Sequence, residues 1–366
     1  MSGAKGRDPG TFQLGEWLHG EGPNSDIAVC TRVRFARNVR GFRFSTLMDG
    51  EEAKELVAYI DTELTRADFL GEEYPDTPEN RTLRALELGS LEDLDRRLLV
   101  ERHLISRELA GLERARSVAV NPTESVAIMV NEEDHLRAQT FRSGFRLEDA
   151  YRRAELLDEA LLRRLPLAFS EEFGFLTACP TNTGTGLRVS VMLHLPGLVW
   201  ADEIEKATST AQKIHLAVRG LYGEGSRALG DFYQVSNQVT LGRTEEQLLE
   251  DVHKAVERLI AWEREARAAL LRGEAQVRTE DRVFRALGTL ERARTLTSEE
   301  ALTFLSAVRL GVQQGLIEGI GIPQLNRALL LSQPAHLQRL CMEKLSPVER
   351  DQRRAALIRD LLRPKP

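Results

Sequence analysis

The stretch from Phe173 to Leu195, FGFLTACPTNTGTGLRVSVMLHL, constrains the fold more than any other. A strand-like apolar run, Phe173 to Ala178, passes through Cys179-Pro180 and a loop of small polar residues and glycines, Thr181 to Gly186, into a second strand-like run. Alternation puts Leu187, Val189, Val191 and Leu193 of that second run on one face and Arg188, Ser190, Met192 and His194 on the other. Gly184 and Gly186 leave backbone N–H groups uncovered by any Cβ, and Arg188 follows at once, which makes a cradle for phosphate. A Gly-x-Gly between strands is more often a tight turn, and the Lys-Ser/Thr end of a P-loop is missing. The reading therefore depends on other anion-binding groups converging on this loop.

The rest of the chain supplies them. In IAVCTRVRFARN, Ile27 to Asn38, a strand would send Val29, Thr31, Val33 and Phe35 to one side and Cys30, Arg32 and Arg34 to the other. Asp49 with Glu52 marks a helix start, followed by Ala53, Leu56, Val57, Ile60 and Leu64 at helical spacing. A further helical region covers about Leu91 to Leu109 and contains His103. Ser117 to Val120 and Ser125 to Val130 flank the turn Asn121-Pro122-Thr123-Glu124, which predicts a β-hairpin and an antiparallel sheet. The charged string NEEDHLRAQTF, Asn131 to Phe141, follows. If the chain re-enters the sheet at His135, then His135, Arg137 and Gln139 share a face.

Helical patterns follow Gly144, run from Ile204 to Val218, and open again at Thr244 to end near Gly273, with a glycine-bounded loop from Gly223 to Gly230 between them. Beyond Gly273 only short helices are expected: Asp281 to Arg294, one capped by Thr297 with Glu300, Pro323 to Leu331, and Pro347 to Leu362. The expected fold class is thus α+β, an antiparallel sheet flanked by helices over residues 1–272, with an all-helical C-terminal domain over 273–366.

A net charge of −6 argues against a nucleic-acid binder driven by bulk electrostatics. Three widely spaced cysteines make neither a disulfide framework nor a zinc site, and no segment is long and apolar enough to span a bilayer, so a cytoplasmic protein is expected. Arg32, Arg34, Arg137, Arg188 and Arg219 against the carboxylates Glu133 and Glu224 make a cage for a polyanion. ATP fits best, because the rigid guanidinium fork matches phosphate oxygens. No cluster of aspartates offers itself, so magnesium would be held largely by the phosphates and water. The two glutamates then suit a cation such as a guanidinium, with Cys179 against it. Guanidinium and carboxylate pKa values differ by about 8 units, or roughly 11 kcal/mol, so the proton must leave as the P–N bond forms.

CPTNTGTGLRVSVMLHLP, NEEDHLR and CTRVRFARN together resemble the phosphagen (guanidino) kinases, and within them the bacterial protein-arginine kinases. The resemblance covers about Asp26 to Ala268. It implies ATP bound by the five arginines, with His103 nearby and the segments Cys30-Thr31-Arg32-Val33-Arg34, Arg188-Val189-Ser190-Val191-Met192 and Arg219-Gly220-Leu221-Tyr222-Gly223-Glu224 lining the site. It implies Glu133 and Glu224 as the carboxylates for the substrate guanidinium, with Cys179 beside them. Small-molecule members carry a helical domain before the Arg-Val-Arg strand, which here starts near residue 28, so a more open site is expected. Arg350, Asp351, Arg354 and Ala355 match the RDxxRA motif implied to bind phosphoarginine. The implied activity is ATP-dependent phosphorylation of arginine in proteins. Implied partners are protein substrates, an activating adaptor, a Clp-type unfoldase, a transcriptional repressor and a second copy of the chain. A small-molecule guanidino kinase and an inactive phosphoarginine-binding adaptor are the alternatives.

Overall fold

The computed structural model describes residues 13–220 and 229–363. Its strands are β1 (Ala28–Arg37), β2 (Arg84–Glu87), β3 (Ser117–Val120), β4 (Val126–Val130), β5 (Leu136–Ser143), β6 (Phe169–Ser170), β7 (Gly174–Phe175), β8 (Leu187–His194), β9 (Leu216–Gly220) and β10 (Phe232–Asn237). Among the described residues they form an eight-stranded sheet of order β2-β3-β4-β5-β1-β8-β10-β9 and a separate β6-β7 pair. Every pairing in the large sheet is antiparallel. The two arginine-bearing strands are therefore neighbours at its centre, with Arg34 opposite Arg188 and Arg32 opposite Ser190.

One face of the sheet is apolar because alternation sends Val33, Phe35, Leu187, Val189, Val191 and Val235 to the same side. They are buried against helices Leu147–Arg164, Ile204–Lys213 and Glu245–Leu270. On the other face, Cys30, Phe141, Met192 and Phe232 join Trp17 and Leu18 in a core shared with helices Gly273–Arg292, Ser298–Gln313, Ile322–Leu331 and Pro347–Leu362. The C-terminal helices thus close one end of the face that carries the arginines.

Local signals placed several elements correctly. Asp49 caps helix Gly50–Leu64, and Thr297 with Glu300 forms a capping box at Ser298. Several expectations change: the helix read from Ile204 to Val218 ends at Lys213, with Val218 in β9, and the helix expected from Asp281 to Arg294 runs from Gly273 to Arg292. The helical region from Leu91 divides into Asp93–Glu101 and Arg107–Gly111, because His103 takes a left-handed φ of 58° and Ser106 caps a new helix. The run Phe173 to Ala178 contributes only β7 to a strand, since the chain turns aside to pack on the glycine loop.

That packing is organised by Arg37, whose guanidinium is wholly buried. It meets Asp158 at 2.9 and 2.7 Å, donates to the Thr185 carbonyl at 2.8 Å, and lies 3.5 Å from the Phe175 ring centroid. Gly186 has φ +62°, and a Cβ there would stand 2.6 Å from Arg37 Nη1, so only glycine lets the loop close over this arginine. Arg37→Ala leaves the Asp158 carboxylate buried without its partner. Denaturant titration is expected to show a loss of about 3–5 kcal/mol.

Candidate active site

The central strands build a cleft of about 690 Å³ into which Arg32, Arg34, Arg137, Arg188 and Arg219 all project, together with His103 and Glu133. Seven residues expected at one site from five separate stretches are thus brought together. Cys30, Ser190 and Met192 lie on the same sheet face, next to a small void beneath Arg32. Burial pushes the Cys30 thiol up to about 12, so it packs as a small neutral group.

Four expected neighbours face away. Val33, Val189 and Val191 belong to the opposite core, and Thr31 spends its hydroxyl on the Gly144 carbonyl at 2.8 Å and the Arg146 amide at 3.1 Å. Their strand partners occupy the backbone groups, so they line the site only by holding its strands. Gly220 ends β9. Leu221, Tyr222, Gly223 and Glu224 lie outside the described residues.

The electrostatics point to an anion. Arg34 is buried, and its pKa is driven well below that of a free arginine, first by desolvation and then by repulsion from Arg32, Arg137 and Arg188, with Glu132 opposing. Its Nε has no hydrogen-bond partner among the described residues. Arg32 is pushed down to about 10 by burial, with Arg137 and Arg188 adding repulsion, although Nη2 donates to Gln234 Oε1 at 2.7 Å. A buried arginine repelled by three others is relieved by an anionic ligand, and a polyphosphate is such a ligand. His103 is pushed down to about 3 by burial and the nearby arginines, so it is a neutral ring, its edge against Trp17 at 4.6 Å.

Sequence reasoning missed Glu132. This buried residue, not its exposed neighbour Glu133, pairs with Arg137 at 2.7 Å and accepts from Ser106. Both acids line the cleft, but Glu132 is buried and paired while Glu133 is exposed. Burial alone would raise the Glu132 pKa, but Arg137, the Ser106 bond and Arg34 outweigh it and hold the carboxyl below its ordinary range. A folded pKa below the unfolded one contributes stability that is complete above the unfolded value and lost as pH falls through the folded one. Thermal unfolding is therefore expected to show a midpoint that drops between about pH 5 and 3, with a shallower drop in Glu132→Gln.

Asp134 was also missed. Its Oδ1 accepts from Asn38 Nδ2 and from the Ala178 amide, both at 2.7 Å, which ties the acidic turn to the chain just before Cys179. His135 does not open the strand, which begins at Leu136. Its Nδ1 accepts from the Val39 amide at 3.0 Å, so Nε2 donates to the Arg43 carbonyl at 2.8 Å. Cys179 Sγ sits 3.0 Å from Thr181 Oγ1, at the start of the turn whose Thr181 and Asn182 line a second arm of the cleft.

In the C-terminal helices the RDxxRA residues separate. Arg354 is buried, donating to the Ser332 carbonyl at 2.9 Å, the Leu296 carbonyl at 2.7 Å and Asp351 at 2.5 Å, and Ala355 lies in the core. Contrary to expectation, Arg354 lines neither neighbouring cavity, because its donors are spent on the Ser332 and Leu296 carbonyls and on Asp351. Arg350 instead lines a cavity of about 540 Å³ between helix Asp93–Glu101 and the C-terminal helices, together with Arg97, Arg339 and Lys344.

Comparison with known proteins bears on both regions. Residues 71–266 match the family described as ATP:guanido phosphotransferase, C-terminal catalytic domain, and residues 276–366 match the protein-arginine kinase McsB C-terminal domain. A protein-arginine kinase of Geobacillus stearothermophilus is 44% identical over 347 residues, covering 95% of this chain and 93% of that protein. One from Bacillus mycoides is 43% identical over 350 residues, covering 96% of each. Among solved structures, the duplicated taurocyamine kinase from Schistosoma mansoni superposes with a TM-score of 0.55 at 27% identity, covering 70% of this chain and 35% of that one. The chain thus spans about a third of that duplicated protein. Lombricine kinase superposes at 0.56 with 22% identity, covering 72% and 71%, a likeness of fold.

Proposed function

The chain belongs to the ATP:guanido phosphotransferases, and within them to the protein-arginine kinases, and from that membership we infer which of its residues carry the transfer of phosphate from ATP to arginine side chains of proteins. The observation that carries the assignment is the buried, like-charged cluster around Arg34 with Glu133 exposed at the same cleft. Arg32, Arg34, Arg137, Arg188 and Arg219 hold the triphosphate, and the neutral His103 lies near the nucleotide. Magnesium travels with the nucleotide on its phosphates and water. Among the described residues no three His, Cys, Asp or Glu side chains converge as metal ligands.

Glu133 and Glu224 grip the substrate guanidinium and turn one nitrogen toward the γ-phosphorus, with Cys179 beside them. The new P–N bond forms as the bond from phosphorus to the β,γ-bridging oxygen breaks. The nitrogen's proton passes in the same step to the Glu133 carboxylate, as bonding to phosphorus acidifies it, and ADP carries away the electron pair. Fixing two reactants in line and neutralising the phosphoryl oxygens supplies most of the acceleration.

The wider role follows the family. Phosphoarginine marks proteins for a Clp-type protease and inactivates a stress repressor, under an activating adaptor, in a cytoplasmic homodimer. The cavity at Arg350 takes phosphoarginine and regulates the enzyme. No described helix is long and apolar enough to cross a membrane. Incubation with ATP and either free arginine or an unfolded protein tests the substrate class. Acid-labile phosphate on the protein is expected, and transfer to free arginine alone would overturn the reading.

A further inference from the structure

We propose that Phe169, Phe173, Val239 and Leu241 form a docking rim for the apolar residues that flank a target arginine in an extended polypeptide. This rests on the reading of Glu133 as the carboxylate that receives the guanidinium.

All four side chains are about half exposed or more, between 47% and 59%. Single exposed apolar residues are ordinary, whereas a group of them beside a cleft marks a contact surface. These four come from two segments that meet at one place. The β6-β7 hairpin is held to Gly184 by paired backbone bonds, Phe175 N–H to the Gly184 carbonyl at 2.8 Å and the reverse at 3.3 Å. Residues 239–241 press on the same glycine from its other side: a Cβ there would stand 3.1 Å from Leu241 Cα. The Thr240 hydroxyl meets the Thr181 and Thr183 carbonyls at 3.0 and 2.7 Å. Phe169 sets its ring edge against Phe175 at 5.2 Å. The rim is thus built onto the glycine loop.

Val239 joins the rim to the cleft. The second arm of the cleft, about 460 Å³, shares Arg34, Glu133 and Arg188 with the nucleotide arm, and Thr181, Asn182, Gln238 and Val239 also line it. A polypeptide whose guanidinium reaches Glu133 along this arm leaves its neighbouring residues over Val239 and the hairpin. Charge agrees with this occupant, since the exposed Glu171 and Glu172 lie between Phe169 and Phe173 and suit a cationic chain. A free amino acid has no flanking residues to place there. The rim therefore makes a polypeptide a better substrate than arginine alone, and an apolar sequence better than a polar one.

Steady-state transfer to two peptides, one with leucines flanking a single arginine and one with serines, tests this on the full-length protein. The leucine peptide is expected to show a KM about tenfold lower. The Phe173→Ser/Leu241→Ser variant should erase that difference while KM for ATP and the thermal midpoint stay put. A preference that survives in this variant, and in Val239→Lys, overturns the proposal. So does light scattering that finds a smaller assembly in the variant than in the wild type, because the rim would then join two copies of the chain. Glu133→Gln serves as the separate check on the premise. Loss of transfer to both peptides alike upholds it, and normal transfer overturns the placement of the guanidinium whatever the rim variants do.

Discussion

Replacing Arg34 by methionine is expected to lower phosphate transfer by on the order of 10³-fold and, at the same time, to raise the unfolding temperature of the nucleotide-free protein. The two effects share one cause. Arg34 is buried, its Nε lacks a partner among the described residues, and three other arginines repel it. Without a ligand that arrangement costs stability, and an apolar side chain of similar length relieves it. A gain of about 1 kcal/mol corresponds to roughly 2 °C for a protein of this size. With the triphosphate present the same charge is neutralised by several oxygens, and the wild type should gain more from ATP than the variant does. Calorimetry with and without ATP measures both halves. A variant that is less stable without nucleotide would show that Arg34 serves the sheet rather than the phosphates.

Glu133→Gln is expected to reduce transfer to a protein arginine by about 10²–10³-fold while leaving ATP affinity within about threefold. Glu133 is exposed at the cleft, whereas the charge balance of the arginines rests on the buried Glu132–Arg137 pair. The substitution should accordingly leave stability within about 0.5 kcal/mol. Single-turnover measurements separate chemistry from binding. A loss confined to the KM for protein would make Glu133 a docking residue, and a loss in the rate of the bound complex makes it part of the reaction.

Much of this site was legible before the fold was known, because a strand's alternation says which side chains share a face. Arg32 and Arg34 in one run and Arg188 in another needed only to become neighbours, and pairing of β1 with β8 makes them so. Alternation also named the residues that turn away, Thr31, Val33, Val189 and Val191, although the motif as a block swept them in. Glu132, Asp134 and Arg37 stayed hidden for a different reason. Arg37 and Asp134 are charged residues whose roles are set by partners far off in the chain, Asp158 and Thr185 for Arg37, Ala178 for Asp134, whereas Glu132 pairs nearby with Arg137 and was passed over for its exposed neighbour. A lone charge in a sequence reads as solvated until its burial is seen. Arg354 shows the converse: its motif suggested a ligand, and the carbonyls of Ser332 and Leu296 take its donors instead.

The position of β1 also governs how the protein is made. Synthesised before the other strands of the sheet among the described residues, it stands between β5, about a hundred residues later, and β8, later still. One face of the strand then awaits helices near the end of the chain, which cover Cys30 together with Trp17 and Leu18. The strand translated first is thus among the last to be fully enclosed. Folding of this kind is slow, and it leaves apolar surface open on a growing chain. A ribosome-bound fragment ending before residue 273 would carry the whole arginine cluster without the helices that cover this face, and would be a client for chaperones before it could be a kinase.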